Sequence, residues 1–373
     1  MPTEIILEFI IKQMISLLAS FFTSFVVTFL IIHYQNLHMP LSADEDIKGI
    51  QKFHVTSVPR IGGISIVAGI FAATLFNLKS HADTNFATTL LLCAVPAFAI
   101  GLMEDLTKNV GVKNRLLLTA ISAAMANIYL DAQIIRLDII GVDYLLALPG
   151  VGLIFTIFAI TGMANAYNII DGFNGLSSMV GVITLMGLIY VSYLLGDPLM
   201  MYLSLIMAGA ILGFFIWNYP RGLIFLGDGG AYLIGFWIAV ISVMLVARQP
   251  QVSPWFALLI NAYPISETLF TIYRRTMHQG KNPLLPDGIH FHTLIFRRIL
   301  NSISRGHQGA IFTANAKTSP YLWMLTSMAV VPAILWWNST PILITFTILF
   351  TISYIWLYSR IVNFKTPRWA KLL

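Results

Sequence analysis

The sequence predicts an all-helical integral membrane protein with about eleven transmembrane helices, the N-terminus outside, the C-terminus inside and a site on the cytoplasmic face. Three observations carry this. Of 373 residues, 57% are apolar and only 10% are Asp, Glu, Lys or Arg, against roughly 45–50% and about 25% in a soluble domain. The apolar residues gather into long unbroken runs. Lys and Arg fall almost wholly between alternate runs. So little charge excludes a disordered chain, a soluble basic nucleic-acid binder and a disulfide-stapled secreted fold. The single cysteine, Cys93, lies in an apolar run and has no partner for a disulfide within the chain.

A helix needs about 20 apolar residues to cross the hydrocarbon core. In chain order the runs are 14–32, 61–78, 87–103, 116–130, 145–164, 176–195, 199–217, 229–247, 253–272, 321–337 and 341–358. The run 116–130 is the shortest. All must be helical, because only helices and closed barrels satisfy their backbone in lipid, and they far exceed the roughly ten-residue alternating strands of a barrel. Trp217, Trp255, Trp323, Trp336 and Trp337 stand near run ends, as interfacial anchors do. With the N-terminus outside, eighteen of the 22 Lys and Arg fall inside, and only Lys12, Lys79, Arg136 and Arg248 remain outside. The positive-inside rule therefore fixes the orientation. The net charge of +6 is mostly this topological signal and calls for no nucleic acid. Glu4 and Glu8 replace the basic start of a cleavable leader. No segment between runs is long enough for a second domain, so residues 1–373 read as one. The stretch 131–144 reads as a small outer hairpin or interfacial helix.

Eight of the 16 carboxylates lie in the inside segments, among them Glu104, Asp105, Asp171, Asp228 and Asp287. Four clusters stand at run ends. Glu104-Asp105 closes the third run, and Asn165-Ala-Tyr-Asn168-Ile-Ile-Asp171-Gly172 follows the fifth. Trp217-Asn218-Tyr-Pro220 follows the seventh, and Phe225-Leu-Gly227-Asp228-Gly229-Gly230 opens the eighth. Carboxylates with Asn suit Mg²⁺ or Mn²⁺, which prefer oxygen donors. Glycines beside Asp228 let backbone approach a phosphate at a helix N-terminus, and arginines in the last inside loop match phosphate bidentately. Together the clusters read as a metal–diphosphate site. Glu267, late in the ninth run after Pro264, reads either as an intramembrane functional acid or as a side chain snorkelling to the inner face, the latter being favoured. His278 and His307 read as solvated.

These clusters, in this order, resemble the polyprenyl-phosphate N-acetylhexosamine-1-phosphate transferase family, glycosyltransferase family 4, over about residues 58–298. Val58-Pro59-Arg60-Ile61-Gly62-Gly63 is similar to the family's Pro-Arg-x-Gly-Gly element, and Glu104-Asp105-Leu-Thr-Lys108 to its Asp-Asp-x-x-Lys/Asp. Residues 165–176 match Asn-x-x-Asn-x-x-Asp-Gly-x-x-Gly-Leu at every fixed position. Asn218 to Asp228 keeps the Asn-x-x-Pro…Phe-x-Gly-Asp spacing, and Pro286-Asp287-Gly-Ile-His290-Phe-His292 resembles the histidine element of the last inside loop. Two positions depart: Glu104 stands for the usual first aspartate, and Thr293 where a further histidine often follows.

The resemblance implies a Mg²⁺- or Mn²⁺-dependent enzyme of a bacterial cytoplasmic (inner) membrane. It would transfer the phospho-sugar of a UDP-N-acetylhexosamine to undecaprenyl phosphate, releasing UMP, as the first step of an O-antigen, teichoic acid or capsule polysaccharide. It implies catalytic roles for Glu104, Asp105, Asp171 and Asp228, with Asp228 and Asp105 as metal ligands. Arg60, Lys108, Asn168, Asn218, Arg274, Arg275, His290 and His292 would contact substrate. A homodimer is compatible with this reading. The alternatives are the phospho-N-acetylmuramoyl-pentapeptide transferase of peptidoglycan synthesis and a flippase for a polyprenyl-linked sugar. The flippase would need ionisable groups at mid-bilayer and repeat symmetry.

Overall fold

The computed structural model describes residues 3–42, 58–76, 81–148, 150–280, 282, 287–300 and 308–363, and the elements within them are helices. In chain order these are α1 (Thr3–His33), α2 (Gln35–Ser42), α3 (Gly63–Phe76), α4 (His81–Thr107), α5 (Val112–Leu130), α6 (Val142–Leu146), α7 (Val151–Ile170) and α8 (Leu176–Leu194). They continue as α9 (Pro198–Asn218), α10 (Gly227–Arg248), α11 (Pro254–Ile260), α12 (Ala262–Tyr273), α13 (Phe291–Ile295), α14 (Gln308–Leu335) and α15 (Thr340–Val362). Among the described residues, eight helices are long and apolar enough to cross a membrane: parts or all of α1, α4, α7, α8, α9, α10, α14 and α15.

The other three expected runs differ for local reasons. The run 61–78 is described as the 14-residue α3, about 21 Å at 1.5 Å per residue. The run 116–130 is α5, which starts earlier and takes Lys113 and Arg115 into its first turn. The run 253–272 breaks at Asn261 between α11 and α12. Pro264 is the cause, since a proline ring clashes with the carbonyl four residues back, here that of Ile260. The Thr184 hydroxyl donates to that carbonyl at 3.4 Å. The fifth run is also displaced: α7 begins at Val151 and carries Asn165 and Asn168 inside its last turns. The stretch from residue 131 folds as irregular chain leading into α6, with Arg136 donating to the carbonyls of Pro250 and Val252.

Helix α10 is the centre of the bundle, buried along almost its whole length and packed by α3, α4, α5, α7, α8 and α9. Small residues allow this, as between membrane helices generally. A Cβ on Gly63 would meet the Gly230 backbone, and one on Gly101 the Gly229 backbone. Thus the starts of α3 and α10 and the end of α4 are pulled together at one end of the bundle.

Candidate active site

Asp105, at the end of α4 and 2% exposed, accepts the backbone N–H groups of Asp228 at 2.9 Å and Gly229 at 3.0 Å. It therefore caps α10, supplying an acceptor and a negative charge where orphan N–H groups and the helix dipole call for them. Gly227, at φ +77°, makes the turn into α10, and a Cβ there would run into the Asp105 carboxylate and the Arg60 carbonyl.

Asp228 is thereby held with its carboxylate between two guanidinium groups. Arg60 reaches Oδ1 at 3.1 Å and stands 3.5 Å from Asp105. Arg115, from the first turn of α5, reaches Oδ2 at 3.0 Å, and its Nε is buried without a hydrogen-bond partner among the described residues. Asp171 terminates α7 beside this group, half-buried. Burial raises its carboxyl to about 7; Arg60 opposes the rise and Asp228 adds to it. Glu104 uses Oε2 to accept the Val110 N–H at 2.8 Å, closing the α4–α5 turn.

A cavity of about 1350 Å³ starts at this cluster and runs between α5, α7, α10, α11 and α12. Arg60, Glu104, Arg115, Asn168, Asp171, Asn218, Asp228, His290 and His292 line its polar end. Phe155, Phe158, Val243, Val246, Leu258 and Ile265 line its apolar body, which continues to residues 133–137 near the far ends of α5 and α10.

His290 and His292 stack with ring centroids 5.2 Å apart. Burial lowers the His292 imidazole to about 3, so it is neutral at physiological pH, and it packs on Gly172 and Phe173. Glu267 does not snorkel. It is fully buried and is hydrogen-bonded to His290, Tyr354 and the Phe291 N–H.

The remaining expected residues divide. Asn168 faces the cavity from the last turn of α7. Asn218 lines it too, but its side chain is occupied by backbone: Oδ1 accepts the Gly175 N–H at 2.6 Å and Nδ2 donates to the Ile224 carbonyl at 2.7 Å. It braces the Asp171–Gly175 turn against the loop into α10. Arg274 and Arg275 are buried in a π-helical turn after α12, both paired with Asp287, and neither lines the cavity. Lys108 is exposed, in left-handed backbone at φ 55°, and also stands off the cavity wall. His278 is exposed near the Tyr273 hydroxyl. Asp44, Glu45, Asp46, Pro286 and His307 lie outside the described residues. Sequence reasoning missed Arg115, and of its two readings of Glu267 it favoured the one that the burial excludes.

Among the described residues, no three His, Cys, Asp or Glu side chains converge as a ligand cage. Mg²⁺ asks for only one or two carboxylates and completes its shell with water and substrate phosphates; Asp228, on the cavity wall, is a carboxylate of that kind, while both Asp105 oxygens accept backbone N–H groups.

Membrane-length helices around an acid and guanidinium cluster, beside a largely apolar cavity, define a multi-pass membrane protein. The sequence profile of glycosyl transferase family 4 matches residues 87–246 of the chain. The chain is 29% identical over 259 residues to an undecaprenyl-phosphate α-N-acetylglucosaminyl 1-phosphate transferase of Salmonella typhi, covering 68% of this chain and 69% of that one. The enzyme of the same name from Thermotoga maritima is 28% identical over 67% of this chain and 72% of its own. A decaprenyl-phosphate N-acetylglucosaminephosphotransferase of Mycolicibacterium smegmatis is 28% identical over 73% and 70%.

Proposed function

We propose that the protein transfers N-acetylglucosamine 1-phosphate from its UDP derivative to a polyprenyl phosphate. An oxygen of the lipid phosphate attacks the sugar-bearing phosphorus, the bond to the bridging oxygen breaks, and UMP leaves with that oxygen. A polyprenyl-diphosphate sugar remains in the membrane. One observation carries this reading: the cluster of Asp228, Arg60 and Arg115 stands at the mouth of an apolar cavity. Such a site fits a ligand with a phosphate head and a long hydrocarbon tail. The names of the relatives agree with it.

The chemistry asks for little proton transfer. A phosphate monoester has a second pKa of about 6 and is already mostly dianionic at neutral pH. What the site must supply is charge stabilisation and alignment of two anions. Arg60 and Arg115 would turn from Asp228 to phosphate oxygens. Asp228, with Asp105, would hold Mg²⁺, which when bound neutralises diphosphate charge. Asn168, Asp171 and His290 would line the nucleotide-sugar side. The excess of Lys and Arg on alternate loops supports an orientation with this site on the cytoplasmic face, where UDP-sugars are found. Initiation of a cell-surface polysaccharide is the matching role.

The test is purified protein with undecaprenyl phosphate, Mg²⁺ and a panel of UDP-sugars. UMP release with UDP-N-acetylglucosamine, abolished by EDTA, is expected. Turnover only with UDP-N-acetylmuramoyl-pentapeptide would assign it to peptidoglycan synthesis instead.

A further inference from the structure

We propose that Glu267 is a positioning residue which, braced by Tyr354, fixes His290 with its Nδ1 protonated and its Nε2 presented to the substrate cavity. The inference rests on the proposed transferase reading for what His290 meets there, but its structural half stands apart from it.

Glu267 lies on α12 and is 0% exposed. Three donors converge on its carboxylate: His290 Nδ1 at 3.0 Å, the Phe291 backbone N–H at 3.1 Å and the Tyr354 hydroxyl at 2.9 Å. They come from the start of α13 and from α15, so the acid ties together three parts of the chain beyond the residue 87–246 match. A carboxylate only accepts, so the ring must donate from Nδ1. Thr271 Oγ1 is 3.3 Å from the same nitrogen. The other ring nitrogen is left for the cavity that His290 lines.

A pin of purely structural purpose would not need an acid. Burying a carboxylate is costly unless it is fully hydrogen-bonded, and the neutral amide of Gln would fit the same space. A carboxylate gains its advantage by fixing the tautomer: it only accepts, so Nδ1 carries the proton and Nε2 is left to the cavity, whereas an amide could serve either tautomer. Glu267 thereby holds the ring orientation, as outer carboxylates do for histidines at other catalytic sites.

The experiment is a double-mutant cycle on the full-length protein in lipid nanodiscs, paired with nitrogen-15 NMR of labelled histidines. Glu267→Gln should lower kcat about 10-fold, the lower range for losing an orienting carboxylate, with KM for polyprenyl phosphate unchanged. In the His290→Asn background the same substitution should change kcat less than about two-fold, because residues acting as one unit are not additive. Equal losses in both backgrounds, or no loss in either, would overturn the proposal. If Glu267→Gln does not fold, Tyr354→Phe replaces it in the cycle, with about a three-fold loss expected that vanishes with His290→Asn. The NMR spectrum of the unaltered protein should show His290, assigned by its disappearance in His290→Asn, protonated at Nδ1. A His290 protonated only at Nε2 would overturn the proposal, and this readout holds whether or not UMP is released.

Discussion

The Asp105 carboxylate accepts the backbone N–H of Asp228 at 2.9 Å, so the end of one helix is the cap of the next. The two acids are neighbours with different work. Asp105 has both oxygens on the backbone of α10, whereas Asp228 offers both to guanidinium groups at the cavity mouth.

Replacing each acid should separate the two roles. Asp105→Asn keeps only one acceptor for two N–H groups and should cost about 1–2 kcal/mol of stability, as loss of a helix cap does, along with activity. Asp228→Asn leaves the cap intact. It should unfold at the unaltered temperature yet lose on the order of 100-fold in kcat, typical of removing one electrostatic stabiliser. Thermal unfolding and UMP release on both variants check this, and a destabilised Asp228→Asn with a stable Asp105→Asn would contradict it.

Arg115 should matter as much as Arg60. Its guanidinium reaches Asp228 at 3.0 Å from a helix that the sequence motifs do not mark. Arg115→Ala should reduce kcat about 100-fold, and Arg115→Lys should restore only part, because an ammonium cannot reproduce the planar fork. Full activity in Arg115→Ala would remove this residue from the site.

Asp171 gives stability a pH dependence. Burial raises its carboxyl to about 7 in the folded protein, against about 3.9 in an unfolded chain. Between those values the folded state binds the proton more tightly. Its contribution is therefore complete below about 4 and is lost as pH rises through about 7. In EDTA, the unfolding temperature of the unaltered protein should fall from pH 5 to 8, and that of Asp171→Asn should fall less. Parallel curves would contradict the shift.

Part of this arrangement is legible in fixed spacings: Asn168, Asp171 and Asp228 line one cavity, and Asp105 caps the helix that carries Asp228. What spacing does not carry is what a side chain is spent on. Asn218 looks like a substrate ligand but its amide is consumed by Gly175 and Ile224. Arg115 was hidden because a basic residue near a membrane helix reads as topology until α5 folds back against α10. Hydropathy leaves Glu267 between snorkelling and a functional role, because it registers an acid near a helix end and not the His290 and Tyr354 that receive it. The break at Asn261 was averaged away in an apolar window, although Pro264 was there to mark it.

The most direct measurement follows the phosphorus. UDP-N-acetylglucosamine labelled with phosphorus-32 in the sugar-bearing phosphate is incubated with the purified protein, undecaprenyl phosphate and Mg²⁺. Label in the organic phase, with unlabelled UMP in the aqueous phase, is the expected result, because the bond broken lies between the two phosphates. Label leaving with UDP, and an unlabelled glycolipid, would mean transfer of the sugar alone and would contradict the reading of this site.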